Sequence, residues 1–540
     1  MAQSFEMRFS GWGVDADAGE LSPHVVDWLE SRFHRTLAPR VAPPKPDAVR
    51  LRKSKLSGKA ASKLAARVGA DNVRTDHASR LLHCAGKGYP DLLAMRSGAR
   101  LAAPDAVVYP ACHDEVRSII DLCGREGIAI VPFGGGTSVV GGVSPIRGGF
   151  ESVISLDMQR MRGLVQLDEA SRIGVFGAGL HGPELEHLLR ARGFTLGHFP
   201  QSFEYSTVGG WVATRSAGQA SSGYGRIDEK LLGARLVAPA GELDLAARPA
   251  SAAGPDLRAI VAGSEGALGV ITEVSLSVSP APEVTRYEAL MMPTFEDGAN
   301  AVRALEQEGV APEITRVSDA AETEMGMAFA GVEGVKGKLL DGYLRGRGAG
   351  SGSGSLVILG WEGAAGTIEP RRREALSVLK RHGAVGLGAG AGRTWAKHRF
   401  STPYLRDHLI ERSVMVETLE TSTTWANLMN LYVGVGSALA AHAPVVGCHI
   451  SHLYPSGASL YFTFVAPQEH ADAHAQWQSV KHAACRAIVE YGGTITHHHA
   501  IGVDHRAYLV DEDGETGVAA LKALKNSLDP QGLMNPGKLL

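Results

Sequence analysis

The sequence predicts an α+β protein of two or three domains, on three observations. Its 540 residues exceed what one hydrophobic core ordinarily organises. Short apolar runs alternate with helical periodicity between residues 106 and 278. From Tyr287 the spacing changes to strands separated by longer helices, the pattern of a second α+β unit over an antiparallel sheet. Hydrophobic residues make up 44% of the chain, enough to fill a full core.

Residues 1–100 are rich in Arg, Lys and Pro (Pro39, Pro43, Pro44, Pro46), with an Ala/Lys helical stretch at 57–68. They read as an N-terminal extension that packs on something else. A domain over 101–283 opens with the apolar run 106–109, ended by Pro110. In residues 114–127, Val116, Ile119, Ile120 and Cys123 recur at i, i+3, i+4 and i+7, one face of a helix. Asp114 suits its N-cap and Gly127 its stop. A buried strand at 128–132 then runs into Gly134-Gly135-Gly136. Strands at 153–156, 173–176 and 270–278 and a helix at 185–192 complete the domain. The second domain, 284–500, has strands at 287–292, 356–362 and 459–465. Its helices are expected at 295–308, 369–382 and 470–491. Residues 346–355 are Gly and Ser with little else, so they read as a surface loop.

Charge and cysteine usage exclude several classes. A net charge of −3 gives no electrostatic footprint for nucleic acid or for an anionic membrane surface. Five scattered cysteines without a CxxC pair indicate neither a disulfide framework nor a zinc site, and fit a reducing compartment. The first twenty residues hold acidic side chains and no apolar run, and no stretch of about 18 apolar residues occurs. A cytoplasmic location is therefore expected.

Three glycine-rich segments share the first domain: Pro132-Phe-Gly-Gly-Gly-Thr-Ser138, Ser206-Thr-Val-Gly-Gly-Trp211 and Gly263-Ser-Glu-Gly-Ala-Leu-Gly269. Glycines accept φ > 0 and carry no Cβ, so backbone N–H groups can converge on an anion such as a diphosphate. One such segment is often a plain turn; three in this order are hard to explain that way. The GxGxxG spacing of a Rossmann unit is absent, and so is a GxxxxGK[ST] phosphate loop.

These segments resemble the FAD-binding domain of the vanillyl-alcohol oxidase superfamily, as do Thr214-Arg-Ser-Ala217 and the C-terminal Asp529-Pro-Gln-Gly-Leu-Met-Asn-Pro-Gly-Lys538. The resemblance implies a two-part FAD-binding domain, a cap domain, and residues 501–540 returning to the FAD domain. It assigns FAD contacts to Pro132, Phe133, Gly134, Gly135, Gly136, Thr137 and Ser138. It assigns others to Gln201, Ser202, Phe203, Glu204, Tyr205, Ser206, Thr207, Thr214, Arg215, Ser216 and Ala217. The last group is Glu265, Gly266, Ala267, Leu268, Gly269, Val270 and Ile271. Some members anchor the flavin covalently through a histidine where this chain has Thr137, so noncovalent FAD is expected.

Within that superfamily the chain resembles the alkyldihydroxyacetonephosphate synthase (alkylglycerone-phosphate synthase) family over nearly its whole length. The matching stretches are Gly11-Trp12-Gly13, Gly197-His198, Glu204 to Arg215, Tyr404-Leu-Arg-Asp407, Glu417-Thr-Leu-Glu-Thr-Ser422, Leu460-Tyr-Phe462 and His497-His498-His499. That family exchanges the acyl chain of acyl-dihydroxyacetone phosphate for a fatty alcohol in ether lipid synthesis, without net redox change. The resemblance implies that the flavin serves as a covalent electron sink. It also implies small-molecule lipid substrates, a homodimer and a peripheral encounter with membrane.

The candidate residues each have an ordinary reading. His497, His498 and His499 could be a surface cluster or metal ligands. Adjacent residues in an extended run point to opposite faces, however, and no metal is expected. A strand tyrosine is usually core, yet alternation places Tyr461 and Thr463 opposite Leu460, Phe462 and Phe464. By resemblance Tyr461, the three histidines, Arg316 and His198 are catalytic, and Arg406 clamps a carboxylate or substrate through bidentate geometry. Arg316 is expected to hold phosphate, and His198 to lie beside the flavin loop. Here Ala500-Ile501-Gly502 replaces the family's Gly-Val-Gly, adding a Cβ at 500. The competing reading is an FAD-linked oxidase or dehydrogenase of a 2-hydroxy acid such as D-lactate or glycolate, its arginines binding the carboxylate.

Overall fold

Four short strands form the first sheet in the computed structural model, which describes residues 6–15, 20–332, 337, 342–347, 354–469 and 472–540. They are β1 (Val73–Arg74), β2 (Ala106–Val108), β3 (Ile128–Phe133) and β4 (Ser152–Asp157), in the order β1-β2-β4-β3. β2, β4 and β3 run parallel and are buried along almost their whole length, as parallel strands ordinarily are. The helix His113–Glu126 covers them with Val116, Ile119, Ile120 and Cys123, all buried. Its stop is Gly127 at φ 65, the left-handed value that glycine adopts without strain. Its N-cap is Cys112, and Asp114 lies in the first turn, where a carboxylate complements the helix dipole. Asp114, expected as the N-cap, thus supports the helix start from within its first turn, two residues after Cys112.

The next strands are β5 (Leu164–Asp168), β6 (Ile173–Gly177), β7 (Phe194–Thr195), β8 (Leu231–Ala238), β9 (Gly241–Leu245), β10 (Val270–Ser277) and β11 (Ser279–Pro280). Five of them make an antiparallel sheet, β5-β6-β10-β8-β9, and β7 pairs with β11. The end of the chain returns to β3: the Ile130 N–H donates to the Leu533 carbonyl at 2.9 Å, and the Asn535 N–H to the Ile130 carbonyl at 2.7 Å.

The remaining strands are β12 (Val284–Met292), β13 (Ile314–Ser318), β14 (Ser355–Gly363), β15 (Val385–Gly388), β16 (Val414–Thr424), β17 (Val445–Ile450), β18 (Leu453–Tyr454) and β19 (Gly457–Pro467). They form one sheet ordered β15-β12-β14-β13-β17-β19-β16, with β18 paired to β19; every pairing is antiparallel. On β19, Leu460, Phe462 and Phe464 are fully buried and pack with Leu431, Val435, Leu439 and Trp477 of helices Leu428–Ala440 and Ala473–Glu490. Tyr461 and Thr463 face the other way and are half-buried, as alternation requires. Of the expected Gly/Ser loop, residues 348–353 lie outside the described residues.

The N-terminal residues bridge rather than stand apart. β1 joins the first sheet, while helix Pro23–Phe33 lies on helix Ala320–Phe329 through Trp28 and Phe329. Ahead of them Arg8 and the Trp12 N–H both bond Asp407, at 2.8 and 2.6 Å. Among the described residues no helix is long and apolar enough to cross a membrane.

Candidate functional site

The three glycine segments meet. A Cβ on Gly134 would strike the Thr207 hydroxyl, and one on Gly135 the Tyr205 carbonyl. The absence of side chains thus lets the loop after β3 lie directly on the 205–207 segment. Gly136 adds φ +66. Beside this contact a cleft, open in part to solvent, is lined by Pro132, Phe133, Gly134, Ser138, Thr207, Gly209, Gly210, Thr214, Glu265, Gly266, Gly269, Val270, Ile271 and Ala500, among others. The Thr207 hydroxyl is buried there with no hydrogen-bond partner, a polar group that an anionic ligand would satisfy. Glycine backbone, a free hydroxyl and apolar strand ends together fit a dinucleotide, diphosphate on the loop and rings against the strands.

Other predicted cofactor residues support the cradle from outside that cleft. Gly135 and Gly136 line a second cleft that shares Phe133 and Gly134 with the first. The Trp211 indole donates to the Ser206 hydroxyl at 2.6 Å. Arg215, at φ 51, donates to the Ala262 and Ala259 carbonyls, and Ser216 bonds His198. Phe203 packs on Phe199, Trp211 and Phe400, and Gln201 donates to the Arg399 carbonyl. Glu265 is structural in another way: its carboxylate accepts the Ile501 and Gly502 N–H groups at 2.8 and 2.7 Å. Burial raises that carboxyl to about 7 against the pull of these two bonds. Ala500, just before them, sits at φ 78, so the Cβ foreseen as a departure occupies a left-handed position.

The predicted tyrosine and histidines come together on the face of the large sheet opposite Leu460, Phe462 and Phe464. Register puts Glu420 of β16 opposite Tyr461 of β19, and Tyr461 opposite His449 of β17. Directly opposed residues share a face, so the three form a row across three strands. The His449 ring stacks on Tyr461 at 4.8 Å, with His498 on it at 6.0 Å and His499 edge-on at 5.6 Å. Arg316 donates to His449 at 3.0 Å and to Glu322 at 2.9 Å, bringing a guanidinium to the rim of the row.

Glu420 holds the histidine run in place. Its carboxylate accepts the backbone N–H groups of His497, His498 (3.1 Å) and His499 (2.7 Å), and the Thr496 hydroxyl at 2.7 Å. Three successive amides pointing at one carboxylate force the three side chains to splay around it. Burial alone would raise this carboxyl. The histidines and the Thr496 hydroxyl outweigh that and hold it well below the usual carboxylate range. Burial drives the His498 imidazole down to about 4 and the His497 imidazole well below its ordinary value, leaving both neutral near pH 7. Burial likewise pushes the Tyr461 hydroxyl up to about 12. His452, its Nδ1 on the Ser221 hydroxyl at 2.6 Å, stacks on His497 at 5.1 Å. A chain of neutral imidazoles beside a protonated phenol is suited to accepting and passing protons.

Two predicted residues stay outside this cluster. His198 is fully buried under Trp211 and bonds the Ser216 hydroxyl at 2.7 Å; burial takes it to about 3. Arg406 lies by the N-terminal strap. It donates to the Lys87 carbonyl at 2.7 Å; its Nη2 lies 3.7 Å from Asp407, and its Nε and Nη2 are buried without hydrogen-bond partners. Lys87 in turn donates its N–H to the Ser138 carbonyl of the glycine loop. Sequence reasoning missed Glu420, His449, His452 and Tyr454. Glu420 stood inside the quoted 417–422 stretch, but its role depends on cross-strand register, and nothing local marked the other three.

Two triplets, His452–His497–His498 and Glu420–His498–His499, bring potential ligand atoms within 4.8 Å of one another. Most of those atoms are committed elsewhere: His497 Nδ1 and His498 Nδ1 share a hydrogen bond of 3.0 Å, and the Glu420 oxygens accept four donors.

Comparison with known proteins matches residues 104–245 to an FAD-binding domain and residues 281–539 to the C-terminal domain of FAD-linked oxidases. Alkyldihydroxyacetonephosphate synthase of Trypanosoma brucei brucei is 36% identical over 486 residues, 87% of this chain and 78% of the relative. The chain belongs to the alkyldihydroxyacetonephosphate synthase family. The synthase of Dictyostelium discoideum is 33% identical over 481 residues, covering 87% of this chain and 79% of its own. A solved structure of alkyldihydroxyacetonephosphate synthase superposes with a TM-score of 0.85 at 29% identity, over 99% of both chains. The fold extends further: 4-ethylphenol oxidase from Gulosibacter chungangensis superposes at 0.65 with 15% identity, over 90% of this chain and 98% of its own. Membership in the synthase family makes the protein an FAD-dependent enzyme with a cap of the FAD-linked oxidase type.

Proposed function

We propose that this protein exchanges the acyl group of acyl-dihydroxyacetone phosphate for a long-chain fatty alcohol, forming an alkyl ether and releasing a fatty acid, with FAD held noncovalently. The single observation that carries the reading is the row Glu420–Tyr461–His449 with the histidine run locked onto it, within a chain whose synthase relatives match it over most of its length. Bound flavin supplies an electron-accepting ring against which a carbon bearing an acyloxy group can be activated.

The residues of the chain do the rest. Thr207, the glycine loop and the strand ends hold the cofactor, and Thr137 offers no imidazole for a covalent link. Tyr461 and the neutral imidazoles move the proton of the reacting carbon and that of the alcohol. Arg316 supports a phosphate, a guanidinium being suited to an anion of that shape.

Incubating the FAD-loaded protein with palmitoyl-dihydroxyacetone phosphate and hexadecanol, without an electron acceptor, should yield ether. Anaerobic bleaching of the flavin by D-lactate or glycolate, with no ether formed, would overturn the reading in favour of a 2-hydroxy acid dehydrogenase.

A further inference from the structure

The proton balance of ether formation leaves one proton per turnover to be carried away from the site. The bond from carbon to the departing carboxylate breaks with its electron pair, a carbon–oxygen bond to the alcohol forms, and no electrons are gained or lost. The alcohol's O–H proton is left over once per turnover, because a fatty carboxylate stays ionised at neutral pH. His498 and His499 on the reacting face are 15% and 14% exposed, whereas His449, His452 and His497 behind them are buried, so a proton that reaches the His497 imidazole leaves through its hydrogen bonds.

One line of hydrogen bonds leads out of the cluster. His498, stacked on Tyr461, shares a hydrogen bond with His497 between their Nδ1 atoms at 3.0 Å. The opposite nitrogen of His497, Nε2, shares one with the Tyr454 hydroxyl at 2.6 Å. An imidazole bonded at both nitrogens can take a proton at one and release it at the other. Tyr454 lies in β18 and is partly exposed. Its hydroxyl also meets Arg226, at the N-cap of helix Ile227–Lys230. Arg226 is 15% and its partner Asp228 26% exposed. The line therefore runs from the face of Tyr461 to the surface of the FAD domain.

We propose that His498, His497 and Tyr454 form the proton exit of the site, with Tyr454 the residue that hands the proton to solvent. The assignment rests on the ether-forming reading above. Tyr454 does not touch the reacting atoms; it acts through His497. Arg226 carries donors only, so it holds the phenolic oxygen and stabilises its transient negative charge. The charged and titratable groups facing Tyr454 are His497, Arg226, Glu229 and Asp228. Burial raises its hydroxyl to about 12, and Arg226 works against that rise.

The test uses full-length, FAD-loaded protein in weakly buffered solution, following ether formation and proton release together. Tyr454→Phe removes one hydroxyl from a partly exposed position and keeps the ring packing. Its flavin content and unfolding midpoint should match those of the wild type. Its kcat should fall about tenfold with KM unchanged, and should recover as imidazole buffer is raised; wild-type kcat should not depend on that buffer. A Tyr454→Phe protein with wild-type kcat in weak buffer across neutral pH would overturn the exit, as would a loss that no buffer restores. A wild-type protein that forms no ether would overturn the functional reading, and the exit with it, before any variant is compared.

Discussion

In the cofactor cradle, contact is made by taking side chains away: Gly134 and Gly135 bring a loop onto Thr207 and Tyr205, where any Cβ would collide. In the imidazole cluster, contact is made by crowding side chains around the fully buried Glu420, whose oxygens gather three backbone amides and a hydroxyl. The cradle depends on backbone shape, which a few glycines encode locally. The cluster depends on strand register, which no local stretch encodes. Each region should therefore fail in its own way: the cradle by losing cofactor, the cluster by losing rate or stability while cofactor stays.

The largest effect should come from Glu420→Ala, which strands one buried and three partly buried donors at once. Unfolding in denaturant should show a loss of about 3 kcal/mol, with the flavin spectrum of the folded protein retained. If that variant lost flavin without losing stability, the two regions would not be separate. Tyr461→Phe should keep both fold and FAD and lower kcat about a hundredfold, read from ether formation; an unchanged rate would remove Tyr461 from the chemistry. On the other side, Gly135→Ala should raise the Kd for FAD about tenfold or more by pushing the loop off the Tyr205 carbonyl, measured by titrating flavin into stripped protein.

Two smaller effects sharpen the contrast. Burial lowers His498 from 6.5 to about 4 and His198 from 6.5 to about 3. The folded protein thus refuses protons that the unfolded chain accepts. The associated stability is fully present above 6.5 and is lost as pH falls through those lower values. Denaturant midpoints should drop on acidification across that window, and less steeply in His498→Asn. Smallest of all, Ala500→Gly relieves a left-handed alanine at φ 78 and should raise stability by about 0.5 kcal/mol, checked by thermal unfolding.

Local signals carried much of the architecture. Val116, Ile119, Ile120 and Cys123 marked a helix face that is buried as spaced. The alternation of Leu460 to Phe464 separated core from the opposite face on β19. The site was legible only in pieces. His497, His498 and His499 could be pointed to, but not the Glu420 carboxylate, 77 residues away from His497 in the chain, that fixes them. Arg406 was read as a substrate clamp and His198 as a neighbour of the flavin loop; the fold sets Arg406 against the Lys87 carbonyl and His198 beneath Trp211 on the Ser216 hydroxyl.

The sequence by itself determined the fold class, the helix and strand periods, and a glycine cradle suited to a diphosphate, because backbone freedom and side-chain period are properties of neighbouring residues. The resemblance to a family supplied FAD as the cradle's occupant. Only the tertiary structure decided which imidazoles meet, which carboxylate orders them, and that Tyr454 connects them to the surface. Those contacts are set by the register of β16, β17 and β19, and register is settled by the packing of a whole sheet rather than by any residue within it.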